Sequence, residues 1–377
     1  MKINTGEIYS RYNTSTLIFK YITTNLLTHS ITRTFSLRIL KRYLACRPAW
    51  LLKLIHGIYL GGQSLAEVDL AASRLAQDGV CCAIDYAAEG ENNTAHFNLA
   101  LKNTFQLIDM AARAENLPFV IIKPSTFGNI ELYTRMTQRQ PLNAEQQIQW
   151  RKIVSRYRRI FDRASSRNVN IMVDAEQSWF QPAASRLVLA MMPFYNRHRP
   201  LITLTLQCYL RDQMDFLRYC YQQACNYGFH LGLKVVRGAY LEEERRHGGY
   251  QPCFAEKWQT DSCYHETIDY IVQRLDRITP FFATHNEESI DRIINHPLLR
   301  HHTVWIGQLY GFGDHITYKL LHARLRVCKY LPYGPIHLAL PYLLRRIEEN
   351  AIATPTFKTE NRLVKQELSR RFFRRSK

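Results

Sequence analysis

Eight short runs of apolar residues recur along the chain from residue 81 onward. Most of these runs are continuous rather than alternating, which is typical of parallel strands buried on both faces. Longer segments with apolar residues at helical spacing lie between them, such as residues 144–167 and 213–227. This alternation predicts a single-domain α/β fold, a TIM-like (βα)8 barrel. The runs cover residues 81–86, 119–125, 169–176, 201–209, 229–240, 280–286, 302–311 and 326–334.

An open, doubly wound sheet would show the same alternation of strands and helices. Its dinucleotide-binding form carries a GxGxxG turn directly after a strand. No such turn follows any of the eight runs. The barrel is therefore the favoured architecture.

Polar side chains stand at the carboxyl end of every predicted strand. In barrel enzymes this rim carries the chemistry. One polar residue there is usually a helix cap or a satisfied hydrogen bond, but eight polar strand ends together predict an active site. The side chains concerned are Asp85, Lys123, Asp174, Glu176, Gln207, Arg237, Tyr240, Thr284, His285, Asn286, Gln308, Tyr330 and Tyr333.

The stretch PYLLRRIEEN, residues 341–350, places two arginines side by side. In a helix, Tyr342, Arg345, Arg346 and Glu349 share one face. One interpretation is a solvated face with an ion pair between Arg345 and Glu349. The other is a fork of two guanidinium groups that binds a carboxylate, with the Tyr342 ring beside it. The stretch would then form the first turns of the eighth helix and lean over the barrel mouth.

The net charge of +18 is concentrated at the two ends of the chain. Residues 1–66 hold nine Lys/Arg and one acid, and residues 357–377 hold eight Lys/Arg and two acids. Charge placed in this way does not form a nucleic-acid groove, and the interior carries no DNA- or RNA-binding motif. Basic ends suit attraction to an anionic membrane surface, although solubility alone would also account for them.

The cysteine and histidine patterns exclude the common metal motifs. The nine cysteines show no regular spacing and no CxxC, which indicates a reducing compartment rather than a disulfide scaffold or a zinc site. No HExxH motif is present either. No run of 18 apolar residues occurs, so no bilayer-spanning helix is predicted.

The N-terminal segment has two interpretations. It is rich in Lys/Arg and Ser/Thr, as a mitochondrial transit peptide is. Residues 40–60, however, have the apolar spacing of helices that pack on a domain, which favours an ordered arm. We expect a basic helical arm at residues 1–60, the barrel at 61–356 and a basic tail at 357–377. The expected location is the cytoplasm, peripheral on the inner face of the cell membrane, with the mitochondrial matrix as the alternative.

Five motifs follow one another along the chain: KVVRGAYLEEE (234–244), ATHNEES (283–289), QLYGFGD (308–314), KYLPYG (329–334) and PYLLRRIEEN (341–350). In this order they resemble the motifs of the proline dehydrogenase family. The resemblance extends from about residue 61 to about residue 368, and the chain length is similar to that of stand-alone bacterial members. It implies an FAD-dependent enzyme that oxidises L-proline to Δ1-pyrroline-5-carboxylate by hydride transfer to flavin N5, the first step of proline catabolism to glutamate. A membrane quinone is the implied electron acceptor.

The resemblance also implies roles for individual substrate-site residues. Arg345 and Arg346 would grip the substrate carboxylate, a bidentate contact that lysine makes poorly. Tyr330 and Tyr342 would pack against the pyrrolidine ring. Further substrate contacts would be Leu309, Tyr240 and, by its spacing alone, Glu89.

For the flavin, the resemblance implies a set of contacts at the ends of the fourth, fifth and sixth strands. Lys234 takes the place of an arginine that many relatives have near the reactive edge of the flavin. The positive charge is therefore kept, but the bidentate contact that a guanidinium makes is lost. The implied contacts are Gln207, Lys234, Arg237, Gly238, Ala239, Thr284, His285 and Asn286.

The proton acceptor for the proline nitrogen stays open at this point. Lys123 and Asp174 match catalytic polar residues of the family, and either a Lys123 amine or a water held by Asp174 would serve. Two functions of other classes also stay open. A barrel lyase or aldolase would use Lys123 or Lys234 as a Schiff-base nucleophile, and a catalytically silent protein would bind membrane through its ends.

Overall fold

A computed structural model describes residues 4–28, 57–87, 93–248, 251–300, 304–335, 339, 346 and 354–374. Eight parallel strands close into one barrel in which each strand pairs with the next and the last pairs with the first. Each apolar run of the sequence contains or overlaps one strand, so the predicted barrel is confirmed. The strands are β1 Cys81–Tyr86, β2 Phe119–Ile122, β3 Asn170–Val173, β4 Ile202–Gln207, β5 Leu231–Val236, β6 Ile278–Ala283, β7 Trp305–Leu309 and β8 Arg326–Tyr333.

Helices surround the barrel and connect consecutive strands. Those before β1 are α1 Thr5–Ile8, α2 Thr14–Thr28 and α3 Leu65–Gln77. Those between strands are α4 Thr94–Ala111, α5 Ile130–Thr137, α6 Ala144–Arg167, α7 Gln181–Tyr195, α8 Gln213–Tyr227, α9 Leu241–Arg246, α10 Lys257–Val272, α11 Glu287–Asn295 and α12 Asp314–His322. The last described helix is α13 Thr354–Arg374, and short 3-10 turns occur at Pro124–Thr126 and Pro297–Arg300.

Local sequence fixes the ends of the two helices that the apolar spacing predicted. At the start of α6, the Asn143 side chain accepts from the Gln146 N–H (2.9 Å), and the Gln146 side chain accepts from the Asn143 N–H (3.0 Å). This reciprocal cap satisfies two N–H groups that a helix start leaves unpaired. Helix α8 ends at Gly228, whose φ of +65° is the left-handed conformation that glycine adopts without strain. Both predicted helices are confirmed.

Aromatic side chains fill the amino-terminal half of the barrel interior. The Phe119 ring packs edge to face on the rings of Phe281 and Trp305, with centroid separations of 5.4 Å in both pairs. Gly307 makes room for this packing, because a Cβ there would lie 2.0 Å from the Phe281 ring. Large rings close this end of the barrel, and the polar side chains are left at the carboxyl end.

The two ends of the chain pack against each other beside the barrel. We call α1, α2 and α13 the terminal clasp. Lys20 of α2 is buried there, with its Nζ 3.0 Å from Asp314 and 2.7 Å from Glu360. Asp314 opens α12, so one buried ammonium group ties both termini to the barrel. The apolar side chains of the clasp are Ile8, Tyr9, Tyr12, Leu17, Leu363, Val364 and Leu368.

Most of the expected basic tail at 357–377 lies in α13. Its apolar residues recur at helical spacing and drive α13 to pack on the N-terminal helices. Arg370 and Arg371 bind the buried Glu367, and Arg371 also donates to the main-chain carbonyls of Tyr9 and Tyr12, which follow α1. Within the expected arm, residues 4–28 include two helices, and residues 29–56 lie outside the described part. No helix among the described residues is long and apolar enough to cross a membrane.

Candidate active site

Two buried ion pairs lie at the carboxyl end of the barrel. Lys234 of β5 places its Nζ 2.6 Å from Asp174, which follows β3. Lys123 directly follows β2 and places its Nζ 2.5 Å from Asp85 of β1. All four side chains belong to strands or directly follow them, so the sheet itself fixes their positions. The polar strand ends of the sequence are therefore brought together, as expected.

Tyr330 completes the group around Asp174. Its hydroxyl donates to Asp174 Oδ2 (2.9 Å), while Lys234 binds Oδ1. The Lys234 Nζ also lies 5.0 Å from the centroid of the Tyr330 ring, within the range of a cation–π contact. One carboxylate thus holds both a cation and an aromatic ring at fixed positions in the barrel mouth.

Asp174 stays ionised in this environment. Burial alone would raise the pKa of its carboxyl group, but the charges of Lys234 and Lys123 and the hydrogen bonds from Lys234 and Tyr330 outweigh burial and lower it. A carboxylate with a lowered pKa is a weak base. Asp174 is therefore suited to orienting donors and water, and not to holding a proton itself.

Gln207 offers an acceptor that nothing in the described part of the chain satisfies. Its Nε2 donates to the main-chain oxygen of Glu176 (2.8 Å), which fixes the orientation of the amide. Its Oε1 is buried and has no hydrogen-bond partner among the described residues. A buried acceptor without a donor is costly, and a bound group with a ring N–H would satisfy it. Gln207 therefore fits the flavin contact that the resemblance implies.

Glu176 stabilises this part of the rim through hydrogen bonds. Its carboxylate accepts from the Ser125 N–H (2.8 Å) and the Ser125 hydroxyl (2.7 Å), which ties the loop after β2 to the end of β3. Burial raises the pKa of Glu176, and the bonds from Ser125 offset part of that rise. Polar residues at strand ends suggested Glu176 as a site residue, but its partner Ser125 had no signal in the sequence.

Arg237 joins the ends of β5 and β6 to the outer helices. Its guanidinium donates to Asp261 (2.6 Å), to the Thr284 hydroxyl (2.8 Å) and to the Ser289 hydroxyl (2.9 Å). The next residue, Gly238, has φ +129°, and a Cβ there would lie 1.6 Å from the Tyr209 ring, so only glycine fits. Arg237 and Thr284 thus shape the rim together. The spacing of the motifs did not indicate Asp261 or Ser289, because both lie on outer helices.

His285 lies behind the rim and links β6 to β7. Its Nε2 accepts from the Leu309 N–H (3.0 Å), and its main-chain oxygen accepts from the Thr356 hydroxyl (2.7 Å). Burial, followed by the charges of Lys329 and His315, lowers the pKa of His285 to about 3. The ring is therefore neutral and carries its proton on Nδ1. This arrangement fixes Leu309, which the resemblance implies as a wall of the substrate pocket.

The remaining implied residues fall into two groups. Asn286 caps α11 by accepting from the Ser289 N–H (2.9 Å), Ala239 is half-buried, and Tyr240 is buried at the start of α9. These positions adjoin the rim, and each also has a structural role or a packed environment. The second group is formed by Arg346, Arg345, Tyr342 and Glu89. Arg346 is helical and half-buried. Glu89, Tyr342 and Arg345 lie outside the described residues.

A protein-family model described as proline dehydrogenase matches residues 69–358. The carbapenem antibiotics biosynthesis protein CarD of Pectobacterium carotovorum subsp. carotovorum is 54% identical over 364 residues, which is 97% of this chain and 97% of that protein. Proline dehydrogenase 1, mitochondrial, of Bos taurus is 34% identical over 333 residues. That alignment covers 84% of this chain and 54% of the bovine protein, so the chain spans about half the length of this relative.

Solved structures show the same barrel. Proline utilization A (PutA) from Bdellovibrio bacteriovorus, inactivated by N-propargylglycine, superposes with a TM-score of 0.71 at 17% sequence identity. The match covers 92% of this chain and 38% of that one. PutA from Bradyrhizobium japonicum gives a TM-score of 0.65 at 21% identity, over 78% of this chain and 31% of that one. These likenesses show the fold.

Proposed function

The chain belongs to the proline dehydrogenase family, and we propose that it is an FAD-dependent enzyme that oxidises L-proline to Δ1-pyrroline-5-carboxylate. The observation that carries the proposal is the buried group of Asp174, Lys234 and Tyr330 beside the unsatisfied acceptor of Gln207. This group combines a cation, an aromatic wall and a spare acceptor at the end of a barrel where barrel enzymes carry their chemistry.

Residues on three adjacent strand ends would hold the cofactor. When bound, FAD supplies the acceptor for the hydride that leaves C5 of proline. Gln207 Oε1 would accept a hydrogen bond from it, and Lys234 would place positive charge where electron density increases. Arg237 and Thr284 would act mainly by shaping the rim, since the Arg237 guanidinium already binds three groups of the protein.

Tyr330 and the arginine pair would hold the substrate. The Tyr330 ring is fixed through its hydroxyl by Asp174 and would pack on the pyrrolidine ring. Arg345 and Arg346 would bind the proline carboxylate as a fork, with Tyr342 beside it. Held at both its carboxylate and its ring face, proline would present one C5–H to the cofactor, an arrangement in which orientation lowers the barrier.

The proton of the proline nitrogen would leave through a water that Asp174 orients. Lys123 forms an ion pair with Asp85, so it is not a free amine that could accept the proton. Asp174 has a lowered pKa and would not keep the proton itself. The water would relay the proton from nitrogen to solvent before the hydride leaves, because an ammonium has no lone pair to form the C=N bond.

The same ion pairs argue against a Schiff-base lyase or aldolase. Such an enzyme needs an uncharged lysine amine to attack a carbonyl group. Lys123 and Lys234 are the two candidate nucleophiles, and each forms a short ion pair with a buried carboxylate. Both lysines are therefore better suited to electrostatic roles.

The similarity to CarD favours a second metabolic role for the same reaction. That protein, named for carbapenem antibiotics biosynthesis, matches this chain over nearly the full length of both. We propose as a second candidate that the imine product enters an antibiotic pathway instead of proline catabolism. Deleting the gene in its host distinguishes the two roles: loss of growth on proline supports catabolism, and loss of antibiotic with normal growth on proline supports biosynthesis.

We propose a quinone in an anionic membrane as the electron acceptor, because the basic ends of the chain would be attracted to such a membrane. The terminal clasp exposes large apolar side chains among its charges, namely Ile18, Ile22, Phe372 and Phe373. Apolar side chains ringed by Lys and Arg are typical of surfaces that lie on a membrane. Replacing Phe372 and Phe373 by Ser should weaken binding to anionic liposomes while turnover with a soluble dye acceptor stays unchanged. Equal liposome binding by the variant would show that these two rings do not contribute to membrane binding, and binding that salt does not weaken would leave the charge as a solubility device.

The proposed activity is tested by reconstitution. The purified protein should bind one FAD per chain and reduce a dye acceptor only when L-proline is added. A matched variant, Asp109→Asn, changes a carboxylate on the barrel exterior and should leave both properties intact. A protein that stays colourless with FAD, or that reduces the dye without proline, would contradict the proposal and favour a silent binding protein.

A further inference from the structure

A polar cavity of about 350 Å³ lies outside the barrel wall, at the starts of α4, α5 and α6. Its lining includes the first residues of these three helices and two arginines, Arg135 of α5 and Arg156 of α6. None of the lining residues belongs to the candidate active site. Among the described residues, the cavity is therefore separate from the proposed flavin and proline contacts.

Arg156 lines this cavity as a buried cation that has no carboxylate partner in the described part of the chain. Its side chain is only 7% exposed. One guanidinium nitrogen donates to the Phe127 carbonyl (3.1 Å), and the group lies 5.1 Å from the Phe97 ring centroid. No carboxylate among the described residues forms an ion pair with it. Burial lowers the pKa of Arg156, and a neighbouring tyrosine offsets this only in part. A buried charge of this kind favours an anionic ligand, which would supply the missing counter-charge.

Arg135 reaches the same cavity from another helix. Its terminal nitrogen donates to the Pro141 carbonyl (3.3 Å). Its Nε is buried and has no hydrogen-bond partner among the described residues. An unsatisfied donor of a cationic group costs more than a neutral one, so an acceptor in the cavity would be bound favourably.

The three helix starts add partial positive charge to the arginines. Asn93, Asn129 and Asn143 cap α4, α5 and α6, and each side chain accepts from one N–H of its own first turn. The other N–H groups of a helix start remain available to a ligand, and the aligned peptide dipoles favour negative charge there. Two acids, Glu131 and Glu145, also border the cavity, and both are exposed.

We propose that this cavity binds a small phosphate-bearing molecule, with its oxyanion between Arg135 and Arg156. The donors come from separate helices and so approach from several directions, which suits a tetrahedral phosphate better than a planar carboxylate. Guanidinium groups bind phosphate oxygens through strong charge-assisted hydrogen bonds. A volume of about 350 Å³ exceeds that of a bare phosphate ion, so the cavity also has room for an organic part.

Calorimetric titration of the flavin-loaded protein tests this site, with inorganic phosphate and phenyl phosphate as probes and acetate at the same ionic strength as the carboxylate comparison. Both phosphate probes should bind, phenyl phosphate more tightly, and acetate should not. Arg135→Met and Arg156→Met should each weaken phosphate binding by at least tenfold. Arg159→Met is the matched control, since Arg159 lies on the same helix, is exposed and does not line the cavity.

Three results would overturn the proposal. They are no phosphate binding, equal binding of acetate, and phosphate binding that neither substitution weakens. Arg156→Met removes a buried contact to the Phe127 carbonyl, so Arg135→Met decides if that variant does not fold. Flavin content and proline turnover should be normal in Arg135→Met. A failure of the proposed activity would therefore be seen separately from a failure of this site.

Discussion

Asp174 and Lys234 form a buried ion pair of 2.6 Å across the mouth of the barrel, from the ends of two strands that are not neighbours. The pair fixes the cation, and through the second carboxylate oxygen it also fixes Tyr330. A single carboxylate therefore sets the geometry of both the proposed cofactor charge and the proposed substrate wall.

Asp174→Asn should show how much of the role of Asp174 depends on its negative charge, because the substitution keeps the size of the side chain. The amide keeps the size of the carboxylate but leaves Lys234 without its counter-charge, which should lower the unfolding free energy by about 2–4 kcal/mol. The kcat/KM for proline should fall by about a hundredfold, since about 3 kcal/mol of lost stabilisation equals two factors of ten. Urea unfolding and steady-state kinetics measure both quantities.

The control for this variant is Asp109→Asn, which removes a carboxylate paired with Arg163 on the partly exposed outer surface. A pair of that kind contributes about 0–1 kcal/mol. Equal effects of the two substitutions would mean that Asp174 has no special role in the site.

Tyr330 should determine which imino acid is used. A tyrosine ring packed on the substrate ring leaves no room and no partner for a 4-hydroxyl group, so proline should exceed trans-4-hydroxy-L-proline by about ten- to a hundredfold in kcat/KM. Tyr330→Ser should lower activity on proline and narrow this gap. Tyr330→Phe keeps the ring, loses the bond to Asp174, and should keep the preference. If the wild type used both substrates equally well, another residue would form the pocket wall.

His285 should make the protein less stable as pH falls. Its folded pKa of about 3 lies below the ordinary value, so between about pH 6.5 and pH 3 the unfolded chain binds a proton that the folded protein excludes. Stability is therefore lost as pH falls through this window. Urea unfolding between pH 7 and about pH 4 should show a shallower loss for His285→Gln than for the wild type. The exposed His198→Gln is the control and should follow the wild type; a parallel loss in His285→Gln would show that His285 titrates normally.

Lys20 should hold the terminal clasp to the barrel. Lys20→Met fills a similar volume but leaves Asp314 and Glu360 without this cation, which should cost about 3–5 kcal/mol of stability. Lys358→Met removes an exposed lysine from α13 and should change stability by less than about 0.5 kcal/mol. Chemical denaturation compares the two. A small effect of Lys20→Met would mean that the clasp contributes little to the folded state.

The barrel could be predicted from the sequence because its strands are buried on both faces. Continuous apolar runs marked all eight strands, and the helices at residues 144–167 and 213–227 were predicted with the bounds that the structure shows. The polar rim was also predictable, since a polar residue that ends a buried strand must face the barrel mouth. The ion pairs Asp174–Lys234 and Asp85–Lys123 were not, because the sequence does not show which side chains of different strands point toward each other.

The terminal clasp shows a second limit of the sequence pattern. The basic residues at both ends suggested solvated or membrane-bound segments, since charge is visible in composition. Lys20, Arg370 and Arg371 are instead used in packing, each against a carboxylate of the protein. Apolar residues of α13 at helical spacing were the available signal, and their partners on α1 and α2 lie more than 300 residues away. Contacts at that separation leave no local trace.

Anaerobic titration of the FAD-loaded protein with L-proline tests the proposed function most directly. The flavin absorbance near about 450 nm should bleach fully with proline as the only reductant, and the imine product should form in equal amount. Arg345→Met and Arg346→Met should keep the flavin but require far more proline, since a lost charged partner of a bound carboxylate costs about 2–5 kcal/mol. Flavin that stays oxidised in excess proline, or that bleaches at the same proline concentration in both arginine variants, would contradict the account.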